Sequence, residues 1–240
     1  MNIAIIGYGK MGRAIEKIAL QKQHEIVLKI NDENLADLTK ENISQADVAI
    51  EFTVPSSAVE NILLCFEAGV PVVCGTTGWL DKKKFVEEKC REMNGTFLTA
   101  TNFSIGVNIF FEVNRMLAAL MNDQKEYEVD IEETHHIQKK DAPSGTAITL
   151  AEGVLTNLDR KKNWVNQLSE KSEELSIISN RKGKVPGTHR VEFDSVADKI
   201  EIIHTAHNRQ GFAVGALKAA EFIYDKKGIY SMKDVLHIAG

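Results

Sequence analysis

Over about the first hundred residues, short apolar runs alternate with longer stretches in which apolar positions recur every three or four residues. Asn2 to Ile6, Glu25 to Ile30, Asp47 to Thr53, Val70 to Gly75 and Thr96 to Ala100 read as buried strands. Between them, Met11 to Leu20 predicts an amphipathic helix with Ile15, Ile18 and Ala19 turned inward. "PSSAVENILLCFEAG" opens on Pro and Ser and stops at Gly69, which are helix start and stop signals. Asp81 to Met93 predicts a further helix. Strands of this kind separated by helices specify a parallel sheet covered on both faces.

Beyond about Thr101 the period changes. "IGVNIFFEVNRMLAALMN" predicts one long helix with Val107, Phe110, Phe111, Leu117 and Leu120 as buried candidates. "YEVDIEETHH" alternates with period two, as in an antiparallel or mixed sheet. "SGTAITLAEGVLTNL" is helical again, and Arg160 to Lys184 is polar and weakly patterned, which reads as a surface excursion. "HRVEFDSV" and "DKIEIIHTAH" pair around a turn near Ala197-Asp198, and "GFAVGALKAAEFIYDKKG" closes the chain as a helix with an apolar face. The expected class is α/β: a Rossmann-type doubly wound parallel sheet over residues 1–103 and 209–240, with an inserted α+β unit carrying a mixed sheet over 104–208.

Composition narrows the function classes. The net charge of −5 leaves no basic excess to neutralise phosphates, so general nucleic-acid or anionic-membrane binding is not expected. Lys82 to Lys84 and Lys161-Lys162 read as solvated faces. Three cysteines, Cys65, Cys74 and Cys90, have no metal-type spacing, which fits a reducing cytoplasm. The chain opens on "NIAIIGYG" without a charged leader, and no apolar run approaches the ~20 residues of a membrane span. A soluble cytoplasmic protein is the expectation.

"GYGKMG" sets Gly7, Gly9 and Gly12 in G-x-G-x-x-G spacing, after the first strand and at the opening of the first helix. Gly7 permits the turn, Gly9 lets backbone amides approach a pyrophosphate, and Gly12 allows close helix–sheet packing. With Tyr8, Lys10 and Met11, these are candidate cofactor residues. The acidic residue that holds an adenine ribose belongs at the end of the second strand. "KINDEN" offers Asn31 and Asp32 there. Asp32 accepts from both ribose hydroxyls and favours NADH; Asn31 discriminates less, and Lys29 then helps with a 2′-phosphate, so NADH and NADPH both stand as cofactors. The other strand ends carry "EFTVPSS", "CGTTGW" and "ATNFSIG", small and hydroxyl-bearing loops that suit a nicotinamide and its ribose. Phe52 and Phe103 read as packing residues, and Asn102 either orients a carboxamide or caps a turn.

"EETHHIQKKDAPSGTA" concentrates the remaining chemistry. Adjacent strand histidines face opposite sides, which weakens a metal reading, so no metal is expected. Pro143 and Ser144 start a helix, so the amides of Gly145 and Thr146 point outward at its positive end and suit a carboxylate. Lys139 adds a mobile cation and a proton donor, and one histidine can serve as a general acid near neutral pH. Together they describe a site for a small dicarboxylate that accepts a proton as well as a hydride. Asp141 orients Lys139 or caps the following helix, capping being the cheaper explanation.

The stretch E-x-H-H-x-x-K-x-D-A-P-S-G-T-A resembles the signature of the 4-hydroxy-tetrahydrodipicolinate reductase family of diaminopimelate and lysine biosynthesis. "GYGKMG", "FT", "CGTTG", "NFSIGVN", "PGTHRVEF" and "IEIIHTAHNRQGFAVGALKAAEFI" look like family blocks, in order, across nearly the whole chain. The resemblance implies His135 as proton donor, Lys139 as a second donor, His136 as a substrate contact, and Gly145 with Thr146 on a substrate carboxylate. It also implies cofactor contacts at Gly75, Thr76 and Thr77 and at Ala100, Thr101, Asn102 and Phe103. The inserted unit would bind substrate and build a homotetramer. The implied reaction is hydride transfer from nicotinamide C4 to substrate C4, followed by enamine protonation.

Departures from the family pattern are the short chain, the 160–184 stretch and the Asn-Asp ribose position. Arg181 and His189 fall near the site by resemblance or serve as strand-end residues. Arg209 reaches a carboxylate or a domain interface, and His204 and His207 read as packing residues on one strand face. Two other readings fit the sequence: a homoserine-dehydrogenase-like oxidoreductase, and a non-catalytic dinucleotide sensor, which has no need of a proton donor.

Overall fold

The computed structural model describes residues 1–208 and 210–238. In chain order the elements are β1 (Asn2–Ile6), α1 (Lys10–Gln21), β2 (Glu25–Ile30), α2 (Lys40–Ile43), β3 (Val48–Glu51), α3 (Pro55–Glu67), β4 (Val72–Cys74), α4 (Lys83–Glu92) and β5 (Thr96–Thr99). They continue with α5 (Ile105–Leu120), β6 (Glu128–His135), α6 (Gly145–Asn157), β7 (Asn163–Val165), β8 (Glu174–Arg181), β9 (Thr188–Asp194) and β10 (Lys199–Thr205). The chain closes with α7 (Gln210–Ile223), β11 (Gly228–Tyr230) and α8 (Met232–Val235). Two compact units result, Met1–Ile105 with Gln210–Gly240, and Gly106–Arg209.

The first unit is a six-stranded sheet in the order β11-β5-β4-β3-β1-β2, with every pairing parallel. β1 shows why. Ile3 and Ile5 enter the core layer that α1 and α7 cover, while Ala4 and Ile6 enter the layer beneath α3 and α4. A strand buried on both faces has no use for polar alternation. α7 passes very close to the loop after β5: a Cβ at Gly215 would stand 1.7 Å from the Phe103 carbonyl oxygen.

The second unit is a five-stranded mixed sheet in the order β10-β9-β6-β8-β7. β6 lies between β8, which is parallel to it, and β9, which is antiparallel. Its alternation sends Val129, Ile131, Glu133 and His135 to the buried side. Val107, Phe110, Ala118, Leu150 and Val154 of α5 and α6 join Val129, Ile131, Ile177 and Phe193 in one core.

Four expectations are corrected here. Arg160 to Lys184 is no surface excursion, because it supplies β7 and β8, and β8 is an interior strand with Leu175 and Ile177 fully buried. Buried Ser176 between Leu175 and Ile177, and the polar end Ser179 to Arg181, leave β8 neither an unbroken apolar run nor a period-two alternation. Lys161 is buried, its Nζ held by Glu128 Oε2 and the Glu174 carbonyl at 2.9 Å each. Leu120 is 74% exposed, because at 3.6 residues per turn it falls away from the Val107–Phe111–Asn114–Ala118 stripe that is buried. β10 also ends at Thr205, so His207 does not share a strand face with His204. Arg209 lies outside the described residues. No helix among the described residues is long and apolar enough to cross a membrane.

Candidate active site

In the first unit the glycine turn sits between β1 and α1. Gly7 has φ +98°, and a Cβ there would stand 2.0 Å from the Phe52 carbonyl oxygen, so the turn admits glycine only. A Cβ at Gly9 would meet nothing within 4 Å, which leaves room in front of the backbone. α1 has no side-chain N-cap, so its first-turn amides are left for an anion.

Two clefts open at this end of the sheet. One, of about 460 Å³, is lined by Gly7, Tyr8, Gly9, Asn31 and Asp32, with Leu35, Leu38 and Val54 as apolar walls. The other, of about 430 Å³, is lined by Gly9, Lys10 and Met11 and by Gly75, Thr76 and Thr77. Gly12 is buried and belongs to packing, since a Cβ there would meet the Gly7 carbonyl oxygen at 2.6 Å. Ala100, Thr101, Asn102 and Phe103 line neither cleft. Phe103 is 2% exposed and packs against Phe52 at 5.8 Å between ring centroids, while Asn102 Oδ1 accepts the Ser104 amide at 2.8 Å as a turn cap does.

The ribose candidates differ in availability. Asn31 Oδ1 accepts from the Glu33 amide at 2.9 Å, whereas Asp32 is exposed on the same cleft. Lys29 Nζ is paired with Glu16 at 3.3 Å and lies over the Tyr8 ring.

The second unit gathers its chemistry around a carboxylate that the sequence reading had not singled out. Glu133 is fully buried on β6, two residues before His135 and on the same face. Its Oε2 stands 3.0 Å from His135 Nδ1 in ion-pair contact, although the two are not aligned as a regular hydrogen bond. Oε1 accepts the Ser144 amide at 3.0 Å and faces Arg181 Nη2 at 3.3 Å. The sheet register produces this grouping: Glu133 lies across from His189 on β9, and His135 lies across from Arg181 on β8. Val129, Ile131, Glu133 and His135 recur with period two, so the position was legible in the alternation.

His189 completes the cluster, with Nε2 3.1 Å from Ser144 Oγ and its ring 5.0 Å from that of His135. Gly187 stands against His135 Nε2, where a Cβ would approach to 2.9 Å. Arg181 also donates to the carbonyls of Lys139, at 3.3 Å, and Asp141, at 2.6 Å, and so staples the loop that carries Lys139. Asp141 pairs with Lys139 Nζ at 2.7 Å instead of capping α6, which Ser144 does through the Ala147 amide at 3.2 Å. Gly145 is exposed at the start of α6 with open space in front of it, Thr146 follows, and His136 is half-buried.

The charges are distributed unevenly. Burial alone would push the Glu133 carboxyl up, but contacts from His135, Ser144 and Ser179 hold it well below the usual carboxylate range. Burial, with the adjacent His135, pushes His189 down to about 4, so that ring is neutral at neutral pH. The Lys139 ammonium holds the Asp141 carboxyl below its ordinary range. His135 is thus set beside a permanent anion, while its histidine neighbour carries no charge.

A parallel sheet whose glycine turn opens on two clefts, with a buried imidazole–carboxylate pair in the second unit of the same chain, accords with the class of two-unit nicotinamide-dependent oxidoreductases. Within that class, the family profile "Dihydrodipicolinate reductase, N-terminus" matches residues 1–103, and "Dihydrodipicolinate reductase, C-terminus" matches residues 106–236. The chain belongs to the dihydrodipicolinate reductase family and is an NAD(P)H-dependent oxidoreductase. It is 51% identical over 239 residues to the 4-hydroxy-tetrahydrodipicolinate reductase of Christiangramia forsetii, covering 98% of each chain. The enzyme of the same name from Alkaliphilus oremlandii is 35% identical, with 99% of each chain covered. The dipicolinate-bound dihydrodipicolinate reductase from Paenisporosarcina sp. TG-14 shares the fold at a TM-score of 0.81 and 23% identity, covering 100% of this chain and 99% of that one.

Proposed function

We propose that this chain reduces 4-hydroxy-tetrahydrodipicolinate to tetrahydrodipicolinate in diaminopimelate and lysine biosynthesis, with NADH as the preferred cofactor. The observation that carries the reading is the buried Glu133–His135 pair beside Lys139 and the open start of α6. The first unit fits a dinucleotide: the space before Gly9, the uncapped α1 and the two clefts suit pyrophosphate, adenosine and nicotinamide ribose in turn. A bound nicotinamide supplies the hydride to C4 of the conjugated cyclic imine that remains once the 4-hydroxyl leaves as water.

The chain's own residues hold the dicarboxylate and handle the proton. The amides of Gly145 and Thr146, at the positive end of α6, take one carboxylate, and His136 contacts the substrate. His135 gives its proton from Nε2, because Nδ1 faces Glu133. Gly187 keeps that nitrogen clear of a side chain. Glu133 fixes the orientation of the ring from its Nδ1 side, so Nε2 is in place before the substrate arrives. Lys139, oriented by Asp141, is the second donor.

Exposed Asp32 favours NADH, since a 2′-phosphate beside it would meet a like charge, and Lys29 is engaged by Glu16. A homotetramer is the expected assembly. Exposed Ile109, Val113, Met116 and Leu120 form an apolar stripe along α5 in support of self-association. The three buried thiols fit a reducing cytoplasm. The test is oxidation of NADH and of NADPH, followed by absorbance, with freshly prepared substrate. Turnover with NADH in excess of NADPH is expected. No oxidation of either nucleotide would sink the reading, and faster NADPH oxidation would reverse the cofactor preference.

A further inference from the structure

Glu51, the last residue of β3, is fully buried, and all of its side-chain partners are neutral. Oε1 accepts the Thr53 amide at 3.1 Å, the Thr53 hydroxyl, and the Thr76 hydroxyl at 3.0 Å; Oε2 accepts the Cys74 thiol at 2.9 Å. Four donors match the acceptor capacity of an ionised carboxylate. Burying an anion without a cation is costly, and a neutral side chain would fill the same space more cheaply. What the charge achieves is a connection. Thr53 belongs to the loop after β3 and Thr76 to the loop after β4, and the Thr53 amide also reaches Thr76 Oγ1 at 2.7 Å. Thr53 lines both clefts beside the glycine turn and Thr76 lines the second, whereas Glu51 lines neither. Thr76 is fixed from its other side by Trp79 Nε1 on its carbonyl at 2.8 Å, and Thr53 by Asn61 at 3.3 Å.

We infer that Glu51 is a positioning residue for the cofactor: its carboxylate locks the two strand-end loops in register, and it sets cofactor affinity without touching the cofactor. The inference rests on the dinucleotide reading of these clefts. A charged hub suits this work because each hydrogen bond to an ionised acceptor is stronger than its neutral counterpart. Small misplacements of binding groups are correspondingly expensive.

Full-length Glu51→Gln, checked for native circular dichroism, is titrated with NADH by fluorescence and assayed at limiting and saturating cofactor. The Kd for NADH is expected to rise about tenfold, equivalent to ~1.4 kcal/mol. Saturating NADH should restore kcat to within about twofold, with substrate KM unchanged. Cys74→Ser, which keeps a donor on Oε2, should hold Kd within about twofold. Thr76→Val should reproduce the rise and Thr76→Ser should reverse it. A folded Glu51→Gln with the wild-type Kd overturns the inference. So does a loss of kcat that saturating NADH does not restore. If Glu51→Gln does not fold, Cys74→Ala decides, since Cys74 lines neither cleft and its loss removes the donor on Oε2: a raised Kd supports the role, and a wild-type Kd overturns it. A wild type that binds neither NADH nor NADPH would instead refute the cofactor reading.

Discussion

Glu51 and Glu133 are both fully buried, and the two units treat the charge in opposite ways. In the first unit the partners are hydroxyls, an amide and a thiol, none of which exchanges a proton near neutral pH. In the second they are two imidazoles and a guanidinium, with one backbone amide. The difference follows the tasks proposed for the two units. Loops that hold a cofactor need a constant shape, and neutral donors keep the charge static. A proton donor, the role proposed for His135, needs a group that changes charge, and Glu133 holds that ring in place from its Nδ1 side.

The largest effects should come from breaking the proton-handling side alone. His135→Gln and Lys139→Ala are each expected to lower kcat by roughly 10²- to 10⁴-fold while NADH Kd stays at the wild-type value. Steady-state kinetics beside fluorescence titration checks this, and near-normal turnover in both variants would mean that the acid lies elsewhere. Glu133→Gln keeps the shape and removes the charge. A loss of at least about tenfold in kcat at unchanged cofactor KM is expected, set against the raised Kd of Glu51→Gln. If both glutamine variants showed the same kinetic signature, the contrast between the units would collapse.

Acid stability offers a second comparison. His189 is held down to about 4 in the folded protein against an ordinary 6.5. The unfolded chain therefore binds a proton that the folded one refuses, and stability is lost as pH falls from about 6.5 toward 4. The window is worth on the order of 3 kcal/mol. Glu133, held below its ordinary value, adds a loss in the same direction at lower pH. Denaturant titrations at pH 7 and pH 5 should show the fall in the wild type and a flatter dependence in His189→Gln. An equally steep dependence in that variant would show that the acid-sensitive group is another one. The smallest effect concerns the ribose. Asp32→Ala should raise NADH KM by about tenfold, and Asn31→Ala by no more than about twofold, since Asn31 Oδ1 already holds the Glu33 amide. The reverse order would transfer the ribose role to Asn31.

Local periodicity made much of this molecule legible. The parallel sheet of the first unit followed from unbroken apolar runs between helices, and "GYGKMG" was placed by its strand–helix context. His135, Lys139 and the start of α6 could be proposed together because they lie within a few residues of one another in the chain. β8 was missed for the converse reason: a mixed run such as "ELSIISNR" has neither an unbroken apolar stretch nor a clean alternation.

The sequence by itself determined the family, the strand-and-helix rhythm and the residue types that can move a proton, since each of these is written in short-range pattern or in blocks of adjacent residues. Tertiary structure alone decided which neighbours those residues have. Arg181 and His189 reach Glu133 through the registers of β8 and β9 with β6, and Cys74 and Thr76 reach Glu51 through the pairing of β3 with β4. A buried charge depends for its state on partners brought in from distant segments, and long-range strand pairing supplies those partners.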